Sequence, residues 1–130
     1  KRLRGKGMKS FIVIGVIAMA LGVVLGAFGA HGLKARLEPS LLAAYQTGVE
    51  YHLYHGLGLI LVGVLGFHFP GAAGLQWGGW LLLAGMLLFS GSLYLMAISG
   101  VRWLGAITPF GGMAFIVGWC WIAWSLIKSP

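Results

Sequence analysis

The sequence predicts an all-α integral membrane protein, a four-helix bundle with short connectors, and three observations predict it. From Tyr51 to Val101 no side chain is charged, and a soluble domain carrying that stretch would expose an apolar surface that drives aggregation. Hydrophobic residues make up 59% of the 130 residues and charged ones only 8%, against about 25% charged in an ordinary soluble domain. Nothing alternates apolar with polar over the roughly 10 residues of a membrane β-strand. Helices are the remaining way to satisfy every backbone group in hydrocarbon.

A hydrocarbon core about 30 Å thick takes about 20 apolar residues as helix. The uncharged runs Phe11–Leu33, Tyr51–Val101 and Trp103–Ile127 reach that length. The middle run is long enough for two crossings and contains its own break, His68-Phe69-Pro70-Gly71-Ala72-Ala73-Gly74, where proline and glycine mark a reversal. Four spans are expected, near residues 10–31, 48–69, 77–99 and 104–127, in one domain covering residues 8–130. Met8 stands where a natural start makes sense, so residues 1–7 read as a tag or an extension.

In span one, Ala18, Gly22, Gly26 and Ala30 recur every fourth residue. Small residues on one face let helix backbones approach closely in lipid, so this stripe is the expected packing face against span two. A basic start, an apolar core and small residues around Gly26–Ala30 also have the form of a cleavable signal; the expectation is a retained span. The connector from Gly32 to Ser40 follows, with Glu38-Pro39-Ser40 as the entrance to the next helix.

The net charge of +7 does not read as a nucleic-acid footprint, because Lys1, Arg2, Arg4, Lys6 and Lys9 crowd beside a long apolar run. That is the positive flank of a membrane helix, so lipid is the expected partner, with itself or other membrane proteins, and nucleic acid is not. Together with Lys128 these outnumber Lys34, Arg36 and Arg102 on the opposite side, which predicts both termini in the cytoplasm. Without residues 1–7 that excess disappears. Trp77, Trp80, Trp119, Trp121 and Trp124 fall on the terminal side and Trp103 on the other, as interfacial anchors do. Cys120 is the single cysteine, so no internal disulfide can form.

Sorting polar groups by depth gives an asymmetry. His31 ends span one; Glu50, Tyr51, His52, Tyr54 and His55 open span two; Ser90, Ser92 and Tyr94 lie late in span three; Arg102 and Thr108 open span four. All fall in the half of the membrane away from the termini, and all but Tyr54 form a candidate polar pocket. Tyr51 and His55, and Glu50 and Tyr54, are four apart and share a face. A Glu50–Arg102 pair is expected there, since pairing lowers the cost of charge near lipid. His52 and His55 are spaced by three rather than the more usual four, and Cys120 is far away, so no metal or other cofactor is expected. No nucleophile stands with a base at a defined spacing, carboxylates are not paired, and the Gly26–Gly32 run lacks the strand of a dinucleotide site. No catalytic residue is expected.

Four motifs occur in order: Gly26-Ala27-Phe28-Gly29-Ala30-His31-Gly32-Leu33; Gln46-Thr47-Gly48-Val49-Glu50-Tyr51-His52, with His55; Phe89-Ser90-Gly91-Ser92-Leu93-Tyr94; and Thr108-Pro109-Phe110-Gly111-Gly112. On these the chain, from about Met8 to Ile127, resembles the YgdD/YwdK-like family of small bacterial membrane proteins, a domain-of-unknown-function family. The resemblance implies a four-span protein of the plasma (inner) membrane and carries no established activity. It puts His31, Glu50, His55, Ser90, Ser92, Tyr94, Thr108 and Pro109 among the characteristic positions. Three functions are weighed: a structural or accessory membrane component; a proton-coupled or small-molecule carrier using Glu50 and His55; and a site that binds lipid, quinone or metal without transport.

Overall fold

The computed structural model describes residues 2–130, with side chains from Gly5 onward. It contains four long helices, α1 (Arg2–Phe28), α2 (Pro39–His68), α3 (Leu75–Ser99) and α4 (Thr108–Lys128). Each is long and apolar enough to cross a membrane, and no strand occurs among the described residues.

Local chemistry sets the ends. Pro39 opens α2 and Pro109 stands in the first turn of α4, where a missing N–H costs nothing because those donors have no intrahelical acceptor. Pro109 also explains why α4 begins at Thr108 rather than at the expected 104: the segment before it, Arg102–Ala106, is a 3-10 turn. Gly100 closes α3 with φ 75°, the left-handed conformation glycine adopts without a Cβ penalty, and its N–H bonds Met96 O at 2.8 Å. The Pro70–Gly74 region makes the expected reversal between α2 and α3. Beyond Phe28, α1 widens into a π-helical turn, Gly29–Leu33. The Tyr45 hydroxyl donates to Leu25 O one turn earlier, a side chain inserted on the ladder where its register changes.

Helices pack in chain order, α1 along α2, α2 along α3 and α3 along α4. Phe11 of α1 reaches α3, standing edge-on to Trp80 at 5.1 Å. The core is continuous, from Met8 and Phe11 through Leu59, Leu75 and Leu82 to Phe115 and Ile122.

Each buried stripe repeats at alternating steps of three and four. In α1 it is Met8, Phe11, Gly15, Ala18, Gly22 and, past half-buried Leu25, Gly29. In α2 it is Tyr45, Gly48, His52, His55, Leu59, Val62 and Gly66; in α4, Gly111, Phe115, Gly118, Ile122 and Ser125. This corrects the stripe expected on span one. A step of four rotates about 400°, so an every-fourth series drifts about 40° per step. Ala18 and Gly22 are buried, Gly26 is half-buried, and Ala30 has turned outward. Steps of three and four average 3.5 and hold the seam on its neighbour.

Glycine lets backbones meet along these seams. A Cβ on Gly15 would lie 2.7 Å from Gly56 O and 2.9 Å from Ile60 N, and one on Gly85 would lie 3.0 Å from Gly111 O. Close backbone approach is how helices gain dispersion energy where lipid removes any hydrophobic drive between them.

Candidate functional site

The seam of α2 brings Tyr45, Gly48, His52 and His55 inward, and between them they meet all three other helices. His52 Nε2 lies 2.8 Å from Ala18 O on α1, and its Nδ1 lies 2.8 Å from the Tyr94 hydroxyl on α3. A carbonyl only accepts, so Nε2 carries the proton and, in the neutral ring, Nδ1 accepts from Tyr94. Ser90 of α3 donates to Gly48 O at 2.6 Å. Between α3 and α4, the Ser92 and Thr108 hydroxyls are 2.6 Å apart.

His55 closes the last junction. Its Nδ1 is 2.8 Å from Tyr51 O, and Trp119 Nε1 donates to its Nε2 at 3.0 Å. An indole N–H can only donate and the Tyr51 carbonyl can only accept, so His55 is held as the Nδ1–H tautomer, opposite to His52. Its ring stacks on Phe115 with centroids 3.5 Å apart, and Tyr51 packs on Phe89 at 4.6 Å. The result is a layer of hydrogen bonds joining α1 to α2, α2 to α3, α2 to α4 and α3 to α4. Among the described residues no buried side-chain nitrogen or oxygen lacks a partner.

The ten residues expected to share one pocket therefore divide. His52, His55, Ser90, Ser92, Tyr94 and Thr108 join the layer. Tyr51 contributes its carbonyl and ring while its side chain stays partly open, the residue being 37% exposed. His31 and Glu50 are exposed and stand apart from the layer. The expected Glu50–Arg102 pair is not formed. Arg102 Nη2 instead bonds Glu38 Oε2 at 2.7 Å, with both side chains more than half exposed, and also approaches Ser40 Oγ at 3.4 Å. The reason is rotational: Gln46, Glu50, Tyr54 and Leu57 follow one another on the outer face of α2, opposite the seam that carries His52 and His55. Glu38, at the start of that helix, is free to meet the α3–α4 connector.

Two members of the layer were absent from the expected set. Tyr45 is 1% exposed, and its position seven residues before His52 on the same seam was the available signal. Trp119 had been grouped with the interfacial tryptophans, yet it sits near the middle of α4 and turns to His55. Phe115, four residues earlier and stacked on the same ring, marks that face.

A hollow of 290 Å³ lies between α1 and α3, walled by Ile14, Ile17, Leu21, Leu83 and Leu87, with His52, Ser90 and Tyr94 at its edge. Its donors are already committed: Ser90 to Gly48 O and Tyr94 to His52.

These features define a small four-span membrane protein whose helices are fastened by a buried polar layer. The chain matches the family model described as a protein of unknown function (DUF423) over residues 25–112, and it belongs to that family. It is 47% identical to UPF0382 membrane protein YwdK of Bacillus subtilis over 121 residues, covering 93% of this chain and 98% of that one. UPF0382 membrane protein SH2409 of Staphylococcus haemolyticus is 45% identical with the same coverage. SERP0230 of Staphylococcus epidermidis is 42% identical, again over 93% of this chain and 98% of its own. No solved structure matches the chain.

Proposed function

We propose that the protein is a structural or accessory component of the plasma membrane, acting through lipid and through other membrane proteins or copies of itself, and that it is not an enzyme. What supports this reading is the complete internal use of the buried polar groups. A catalytic or transport site needs a donor, acceptor or charge held ready for a substrate. Here His52 spends both ring nitrogens on bonds to other helices, and His55 spends one on α4 and the other on the Tyr51 carbonyl of its own helix. Glu50, the acid a proton carrier would need beside His55, faces away from it. The excess of lysine and arginine on the terminal side supports termini in the cytoplasm.

Reconstitution into liposomes tests the reading. Proton and small-solute flux is expected to equal that of protein-free vesicles, and native mass measurement from membranes is expected to show a co-purifying protein or self-association. A proton flux that Glu50→Gln abolishes would replace this reading with the carrier. A monomer with no associated protein would remove the accessory role.

A further inference from the structure

We propose that a cleft at the terminal end of α3 and α4 binds an anionic phospholipid from the adjoining leaflet, a site separate from the polar layer and independent of the accessory reading. Two hollows meet there and share Trp121 as a wall. One, of 330 Å³, is polar and is bounded by the Gly71–Gly74 connector, Ser129 and Lys128. The other, of 470 Å³, is apolar and continues along α3 past Trp77 and Trp80 to Ala84. All three indoles are close to half exposed or more, so the wall faces the bilayer rather than another helix. Gly74 makes the junction possible, since a Cβ there would lie 3.0 Å from Trp121 Nε1.

Charge identifies the occupant. Lys128 Nζ lies 5.5 Å from the Trp124 ring, and Lys6 and Lys9 stand at the same end of the bundle, in the first turns of α1. The chain has two acidic side chains, Glu38 and Glu50. Both belong to the opposite end, and Glu38 is already paired with Arg102. No side-chain carboxylate stands near Lys128, so its charge is open to a counter-charge from outside the chain. A phosphate diester in the polar hollow supplies it, and its acyl chain follows the indole wall into the apolar hollow. A free phosphate would leave that second hollow without a role, so the combination selects a lipid.

The test uses the full chain purified in detergent and exposed to equal amounts of phosphatidylglycerol and phosphatidylcholine, with bound lipid counted by native mass spectrometry. Phosphatidylglycerol is expected to be retained about fivefold over phosphatidylcholine, the factor that one lysine near an anionic surface supplies. Lys128→Gln should bring the ratio to about one, while Lys9→Gln, with the same loss of charge elsewhere on that face, should leave it near the parent value. Trp121→Ala should lower retention of both lipids. A second readout is quenching of indole fluorescence by brominated-chain phosphatidylglycerol, which should exceed that by the brominated choline lipid in the parent but not in Lys128→Gln. Equal retention of the two lipids in the parent overturns the proposal, as does a ratio unaffected by Lys128→Gln. Equal effects of Lys128→Gln and Lys9→Gln would reduce the site to general surface charge. Displacement of phosphatidylglycerol by millimolar inorganic phosphate would reduce it to an ion site without the lipid.

Discussion

At the scale of single residues, His55 and Trp119 form the most exclusive pair in the molecule. The bond works in one sense only, indole donating to imidazole. Trp119→Phe removes the donor and leaves Nε2 buried without one, which costs about 1–3 kcal/mol. His55→Leu removes the acceptor, and the double change with Trp119→Phe, which removes both polar ends of the bond, should cost less than the two single changes do in sum. A double-mutant cycle read from thermal unfolding in detergent should therefore show a coupling above about 0.5 kcal/mol; additive losses would mean that the two side chains do not act as a pair. Glu50→Gln, on the outer face, should leave the unfolding temperature within error of the parent. The histidines were legible in the sequence as polar residues inside a span. Their roles were not, because a tautomer is set by partners from other helices. Neither was the outward turn of Glu50, since depth along the chain carries no information about rotation around the helix. Trp119 was missed for the opposite reason: its aromatic body read as anchoring, and only the three-dimensional contact exposes the polar end.

At the scale of the helix, span number and the reversal at 68–74 were readable because they depend on hydropathy and on glycine and proline, which act locally. The packing face was readable only in part. Small residues correctly drew attention to Ala18 and Gly22, but the every-fourth series overran the seam, and Gly15 and Gly29 hold positions in it that spacing by three and four would have found. Helix interfaces in lipid depend on backbone proximity, so the sites differ sharply in what they tolerate. Gly15→Ala puts a methyl against the Gly56 carbonyl and the Ile60 backbone, neither of which can rotate away, and should destabilise by about 1–3 kcal/mol through separation of α1 from α2. Gly91 has open space where a Cβ would stand, so Gly91→Ala should be neutral or stabilising by less than about 1 kcal/mol. Thermal unfolding of the two variants in the same detergent separates these outcomes; equal behaviour would mean that the glycine crossings do not hold α1 on α2.

At the scale of the whole molecule, the two ends are chemically unlike. One carries Lys6, Lys9, Lys128 and four exposed indoles, Trp77, Trp80, Trp121 and Trp124. The other carries the Glu38–Arg102 contact, which links the start of α2 to the α3–α4 connector across the surface. Exposed pairs of that kind contribute about 0–1 kcal/mol, so the contact orders two loops more than it stabilises the fold. An even number of crossings puts both termini on one side, and the basic excess there predicts the cytoplasm. Cysteine labelling in intact cells tests that orientation on a background of Cys120→Ser, which removes the one native thiol. Ser40→Cys is exposed at the opposite end and Ser129→Cys lies just past α4. A membrane-impermeant maleimide added outside should modify Ser40→Cys and spare Ser129→Cys until the membrane is permeabilised. The reverse pattern would invert the protein in the bilayer and move the lysine-rich cleft to the outer leaflet. Labelling of both positions from outside would break the even count, and with it the assignment of four crossings on which the position of every polar residue in the bundle depends.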